Sequence, residues 1–388
     1  MGRHSKKRRH TRRTAAFKKS LVWGILIAAA VPGVLSTAVL YDHVRQSWDG
    51  LAADTAVLSA MYTVPDRAFE QLRERFAQPS DPQQPEQEQE KAQPPLIPPQ
   101  TQEEQPPPPA KTQPPPEPVE IPEEYRGTVV EEDLAAAGSS LCFGSGKIKN
   151  ATSLSVQQVE EYLAQPQPFL LDRQGPQVLI MHTHATESFE PYDSEIYDTR
   201  HTWRSTDNSE NIVAAGEVMA QAIRSHGIEV LHDDTQHDYP SYNGSYERSA
   251  ETVKEYLAKY PSIKVVLDVH RDAVQRDSTL VKPITQINGK KAAQMMIIAG
   301  CDDGTMEMPN WGKNLRFAAG IQDAIESRWQ GLTRPIFFCY RKYNQDLTTG
   351  SLLLELGSHG NTLEQVLTTA QLAGDAIGNY LAQECMAE

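Results

Sequence analysis

VLIMHTH (178–184) decides how this chain is read: four apolar residues, as in a buried strand, run straight into two histidines. IKVVLDVH (263–270) and LLLELG (352–357) repeat the arrangement, placing His270 and Glu355 in or just after apolar runs. In an open α/β sheet, ligands and chemistry collect at the carboxyl ends of the strands. Two histidines and a carboxylate meeting at that edge have the donor set of a hydrolytic zinc site. A satisfied structural histidine is the other reading of each segment alone. Their shared placement is what points to a site.

Outward from these segments, strands and helices alternate. Strands are predicted over Val178–Met181, Glu229–His232, Ile263–Val269, Gln294–Ala299, Pro335–Tyr340 and Ser351–Leu356. Ile212, Ala215, Val218, Met219, Ala222 and Ile223 recur at helical spacing, with Asp207, Asn208 or Ser209 as caps and Gly227 as the stop. Further helices are predicted over Ser245–Tyr260, which Pro261 closes, and Asn310–Trp329. The last begins at Thr362, with Gln365 three residues on, the pattern of a capping box. Continuously apolar strands between helices predict an α/β fold, a mostly parallel sheet with helices on both faces.

Charge divides the chain. Nine of its 37 Lys and Arg lie in residues 1–20, leaving 28 against 51 acidic residues in the rest. An acidic body argues against nucleic acid, whose phosphates demand a basic face. The uncharged run Leu21–Tyr41 has the length of a transmembrane helix. The positive-inside rule then puts residues 1–20 in the cytoplasm and the body outside, as a single-pass protein of the cell membrane. Ser36-Thr-Ala38 keeps a cleaved signal peptide open as the alternative.

Residues 42–77 have the apolar spacing of a helical neck. Residues 78–126 form a Pro/Glu/Gln-rich linker, with 16 of the chain's 27 prolines between 79 and 122. Such a composition cannot bury a core and predicts a disordered, extended spacer. The folded domain is expected over 127–388. Cys142, Cys301, Cys339 and Cys385 allow one or two disulfides in an exported body, and their spacing is not that of a zinc knuckle.

Five stretches together resemble the stage II sporulation protein P family: HTHATES (182–188), HDYPSYNGSYERSAETV (237–253), LDVHRDA (267–273), YNQDL (343–347) and LLLELGSHGNTLEQ (352–365). The resemblance covers roughly residues 143–385. It implies a membrane-anchored cell-wall hydrolase of endospore-forming bacteria, similar in turn to zinc-dependent N-acetylmuramoyl-L-alanine amidases. The implied activity is cleavage of the muramoyl–alanine amide in peptidoglycan, and of peptide cross-links as well, during engulfment. The implied partners are stage II sporulation proteins D and M. Carried over residue by residue, the resemblance assigns Zn²⁺ to His184, Glu210 and His270, with His182 and Glu187 as alternative ligands, and gives the catalytic base as Glu355.

The chemistry suits those residue types. Two imidazoles and one carboxylate leave a zinc ion room for water, and a nearby carboxylate moves that water's proton to the leaving amine. Glu355 lies among Leu352, Leu353, Leu354 and Leu356, where an unpaired charge costs stability, so an ion pair with Arg271 or Arg341 is its structural alternative. Two other functions remain open: a wall-binding scaffold without turnover, and a two-metal phosphoesterase using His182, His184, Asp268 and His270.

Overall fold

The computed structural model describes residues 120–139 and 141–387. The predicted span Leu21–Tyr41, the neck and nearly all of the proline-rich linker lie outside the described residues. Among the described residues no helix is long and apolar enough to cross a membrane. None of the described helices supplies the expected transmembrane span, so the single-pass membrane localisation is not carried further.

The main sheet contains eight strands: β2 (Leu141–Phe143), β3 (Gly146–Asn150), β4 (Val178–Met181), β6 (Val230–His232), β7 (Val265–Asp272), β11 (Met295–Gly300), β12 (Ile336–Cys339) and β13 (Gly350–Ser358). Their order is β2-β3-β12-β11-β13-β7-β4-β6. A smaller sheet, ordered β10-β9-β1-β5, is built from β1 (Arg126–Glu132), β5 (Ile196–Asp198), β9 (Thr279–Ile287) and β10 (Lys290–Ala293), with β8 (Gln275–Arg276) paired to β9.

Both sheets are mixed, which corrects the mostly parallel expectation. In the main sheet β11 runs antiparallel to β13 and β2 antiparallel to β3. The cause lies in the connections. A parallel neighbour requires a long crossover, whereas an antiparallel one can follow a tight turn. Asn288 and Gly289, both at positive φ, turn β9 back into β10. Asn-Gly is the sequence best suited to such a turn, because both central residues need φ above zero. Only Gln294 then separates β10 from β11, so the chain enters the main sheet from the hairpin rather than over a helix.

Alternation along the strands divides the main sheet into two faces. Val178, Ile180, Leu267, Val269, Leu352, Leu354 and Ile297 belong to the large core. That core is covered by α2 (Ile212–Arg224), α4 (Trp311–Arg328) and α5 (Leu363–Tyr380), while α1 (Val156–Leu163) packs Val159 and Leu163 against the same cluster. Asn211 caps α2 by accepting from Val213 N–H, and Thr362 and Gln365 close the predicted capping box on α5. On the opposite face Leu179, Met181 and Val266 meet Val253 of α3 (Ser245–Lys259). Asp268, His270 and Glu355 fall on this second face, beyond the end of that apolar patch.

Candidate active site

Parallel pairing of β7 with β13 sets Glu355 opposite His270 and Leu353 opposite Asp268. Strand periodicity therefore puts Asp268, His270 and Glu355 on one face. All three are buried. His270 Nε2 lies 2.7 Å from Asp268 Oδ1, and its Nδ1 is 3.5 Å from Glu187 Oε2. Burial opposes the imidazolium, but these two carboxylates hold His270 well above its ordinary value.

Asp268 also anchors the turn after β4. Its carboxylate accepts from Thr183 N–H at 2.8 Å and from Thr183 Oγ1–H at 2.7 Å. The next residue, His184, is thereby brought to His270, with ring centroids 5.1 Å apart. Burial, and then the charge of His270, pushes His184 down to about 3, so it is a neutral imidazole.

Glu187 closes the other side. Arg271 N–H donates to Glu187 Oε2 at 3.1 Å, and the Arg271 guanidinium donates to the carbonyls of Ser188 and Trp203. Burial raises the Glu187 carboxyl, but Arg271 and His270 outweigh it and keep the group ionised. Glu355 is the opposite case. Burial, and then the negative charge of Asp272, raises it to about 8. Its Oε2 is buried without a hydrogen-bond partner. Asp272 in turn pairs with Arg334, 2.7 Å away.

Aromatic rings wall the opening. Tyr242 stacks on His184 at 4.5 Å, and Tyr246 lies nearly parallel to His270 at 6.5 Å and to Tyr343 at 5.3 Å. Asn344 Nδ2–H donates to Tyr246 O, while Gln345 accepts from Gly300 N–H and donates to Ile298 O. Tyr343 and Asn344 both hold positive φ, which non-glycine residues adopt at a cost of about 1 kcal/mol or more. The five segments singled out in the sequence thus converge on one place.

The structure brings together His184, His270, Glu355 and Glu187. It does not bring Glu210, which is exposed and accepts from Ser205 Oγ–H at 3.3 Å. His182 turns to the other face, where it meets His232. Sequence reasoning saw Tyr246 and Tyr343 only as loop aromatics suited to binding a peptide-sugar strand, and overlooked Arg204. Asp268 was named only in the two-metal alternative, and its place beside His270 follows from Asp-x-His on a strand, which puts both side chains on one face.

These residues do not present a zinc site. Each His270 nitrogen faces a carboxylate, His184 Nε2 faces the Tyr242 hydroxyl at 3.0 Å, and Glu210 is remote at the surface. Among the described residues no group of three or more His, Cys, Asp or Glu could hold a metal ion. The Zn²⁺ expectation is corrected accordingly, and the two-metal alternative falls with it because His182 lies on the far face. The four cysteines are free thiols.

Fold and site define an α/β protein with a buried acid–base cluster on one face of its main sheet. The chain belongs to the family Stage II sporulation protein P (SpoIIP), which matches residues 61–378. Stage II sporulation protein P of Bacillus subtilis (strain 168) is 29% identical over 212 residues, covering 51% of this chain and 49% of that protein. The match thus spans about half the length of the curated relative. Among solved structures, the N-acetylmuramyl-L-alanine amidase Ami1 of Mycobacterium abscessus is 13% identical, covering 53% of this chain and 98% of that one, with a TM-score of 0.30. The CwlD amidase of Clostridioides difficile, solved with the GerS lipoprotein, is 14% identical, covering 53% and 95%, with a TM-score of 0.32. Overlaps this loose carry no weight for function.

Proposed function

We propose that this chain is a peptidoglycan hydrolase acting in sporulation, cleaving the N-acetylmuramoyl–L-alanine amide and peptide cross-links as well. The observation that supports it best is the buried pair His270 and Glu355, side by side on parallel strands, with Glu355 Oε2 unpartnered. Family membership supports the sporulation setting. Stage II sporulation proteins D and M are the proposed partners on the strength of that likeness.

A carboxyl near 8 is close to working pH, so it can both accept and return a proton. In the proposed reaction water adds to the amide carbon and its proton passes to the ionised form of Glu355. The carbonyl electron pair moves to oxygen beside the His270 imidazolium, which Asp268 and Glu187 keep charged. As the intermediate collapses, the C–N bond breaks and Glu355 delivers the proton to nitrogen. The products are a carboxylic acid and an amine. His184, neutral and ring-to-ring with His270, bounds the space in which this occurs.

The test is to incubate the purified full-length chain with peptidoglycan and identify products by mass. New L-alanine amino termini and free lactoyl carboxylates are expected. A folded chain that binds the wall but liberates neither would be a scaffold, and the hydrolase reading would be withdrawn.

A further inference from the structure

Strand register carries the acid–base cluster outward across the main sheet. Asp268 lies opposite Leu353, Leu353 opposite Ile298, Ile298 opposite Phe337, and Phe337 opposite Lys149. Their chain neighbours Val269, Leu354, Ile297, Phe338 and Ile148 belong to the large core. Alternation therefore turns the whole row to the face that carries His270 and Glu355.

On that face Met296, Ile298, Leu353 and Cys339 form an apolar patch, with Phe337 and Tyr343 packed against it. All six come from β11, β12, β13 and the loop after β12. Helices α1 and α4 pack on the opposite face, and α3 meets this one at Leu179, Met181 and Val266. The patch is buried at its inner end, whereas Phe337 and Lys149 at its outer end are half-buried. That outer end is cationic. Lys149 Nζ stands 5.3 Å from the Phe337 ring centroid. Burial, and then the charge of Arg334, lowers the Lys149 amine. Burial raises the Cys339 thiol to about 12, and Arg341 and Lys149 both oppose that rise, which places the two cations near one residue. In a chain of net charge −14, two basic side chains at the end of an apolar strip make a local surface for the opposite charge.

We propose that this strip is a subsite for the peptide arm of the substrate, an extended chain bearing a carboxylate, and that Lys149 reads that carboxylate. The inference rests on the amide-hydrolase reading and deepens it. Continuity favours substrate over a separate partner, because the row starts at Asp268 and Met296 lies opposite Glu355. Three strand spacings separate β13 from β3. At ~4.8 Å each they span about 14 Å. An extended peptide rises about 3.4 Å per residue, which puts the carboxylate roughly four residues from the scissile amide. A charge read so far from the reacting bond holds ground state and transition state alike, so its loss raises KM and leaves kcat.

The experiment uses full-length wild type, Lys149→Gln and Lys149→Arg with soluble muramoyl peptides of two or four residues, each ending in a carboxylate or a carboxamide. Turnover, calorimetric binding and melting temperature are measured. Wild type should prefer the four-residue acid. Lys149→Gln should raise KM for that acid by about 10-fold, the order of one charge-assisted hydrogen bond, with kcat, melting temperature and the carboxamide peptide nearly unchanged. Lys149→Arg should restore the preference. Equal KM for acid and carboxamide in wild type, or an unchanged preference in Lys149→Gln, would overturn the proposal. A KM raised alike for every peptide would make Lys149 structural and overturn it equally. Self-association of wild type in sedimentation, lost in Lys149→Gln, would give the face to a second copy of the chain instead. Wild type that binds the four-residue acid preferentially but cleaves no peptide removes the hydrolase reading and leaves the subsite standing.

Discussion

His182 and His184 are two residues apart, yet the fold uses them in opposite ways. His182 is buried under α2, with Nδ1 2.8 Å from Val269 O and Nε2 2.9 Å from His232 Nε2. His232 Nδ1 in turn lies 2.9 Å from Glu217 Oε2. Burial, and then His232, presses His182 down to about 3. Every polar atom of that ring is used to hold strands and helix together. His184 is equally neutral but faces aromatic rings, a hydroxyl and His270. The lesson is that charge state alone does not distinguish a structural histidine from a reactive one. What the second nitrogen faces does.

The largest effect should come from the reactive side. Glu355→Gln keeps the shape but cannot accept a proton, so turnover of the amide should fall by roughly 10²–10⁴. The fold should survive, because the amide has the shape of the neutral carboxyl that burial favours at Glu355. A melting temperature well below wild type, with activity per folded molecule preserved, would make Glu355 structural and erase the contrast.

His182→Ala should do the reverse. It removes the contact to Val269 O, leaves His232 Nε2 without its partner and opens a cavity in a dry interior, at a cost of roughly 2–4 kcal/mol. Activity per folded molecule should be retained. Denaturant titration beside a turnover assay checks both halves, and loss of turnover at full stability would place His182 in the chemistry instead. Gly216→Ala probes the same region from the helix. A Cβ there would stand 2.4 Å from His182 Nε2 and 2.7 Å from His232 Nε2. Those rings are packed, so the gain in helix propensity should be outweighed and stability should drop by about 1–3 kcal/mol.

The smallest effect is pH-dependent and lies near neither histidine. Glu190 is buried, accepts from Trp203 Nε1–H at 2.5 Å, and is raised by burial to about 7 from 4.5. A carboxyl raised in the folded state contributes stability below its unfolded value and loses it as pH rises through its folded value. Glu190→Gln should therefore match wild type near pH 4.5 and exceed it above pH 7, by on the order of 2 kcal/mol. Equal pH dependence in both proteins would remove Glu190 as the cause.

Much of this arrangement was legible from residues alone. Apolar runs ending in His or Glu marked β4, β7 and β13, whereas the register that sets His270 beside Glu355 came only with the structure. Strand direction was not legible, because it depends on whether a connection is a helix or a turn. The Asn288-Gly289 signal was present but was not used to reverse β10 and β11. The carboxylate facing His270 was ambiguous for a different reason. Glu210 precedes the cap of a strongly periodic helix, whereas Glu187 lies in a turn without periodicity. Only the anchoring of that turn by Asp268 and Arg271 brings Glu187 inward. The small sheet was missed because β5 and β8 are two or three residues long and carry no pattern.

Gln294, the single residue between β10 and β11, has its own consequence. Its N–H donates to Pro283 O, its side-chain oxygen accepts from Leu134 N–H, and its Nε2 donates to Asp133 Oδ1 and Gly331 O. One buried side chain therefore splices the small sheet, the main sheet and the loop after α4 into one cooperative unit. Small sheets joined by long tethers open on their own, and their amides exchange early. Here the amides of β1 and β7 should instead exchange with similar protection, because neither sheet can leave without breaking the corner they share.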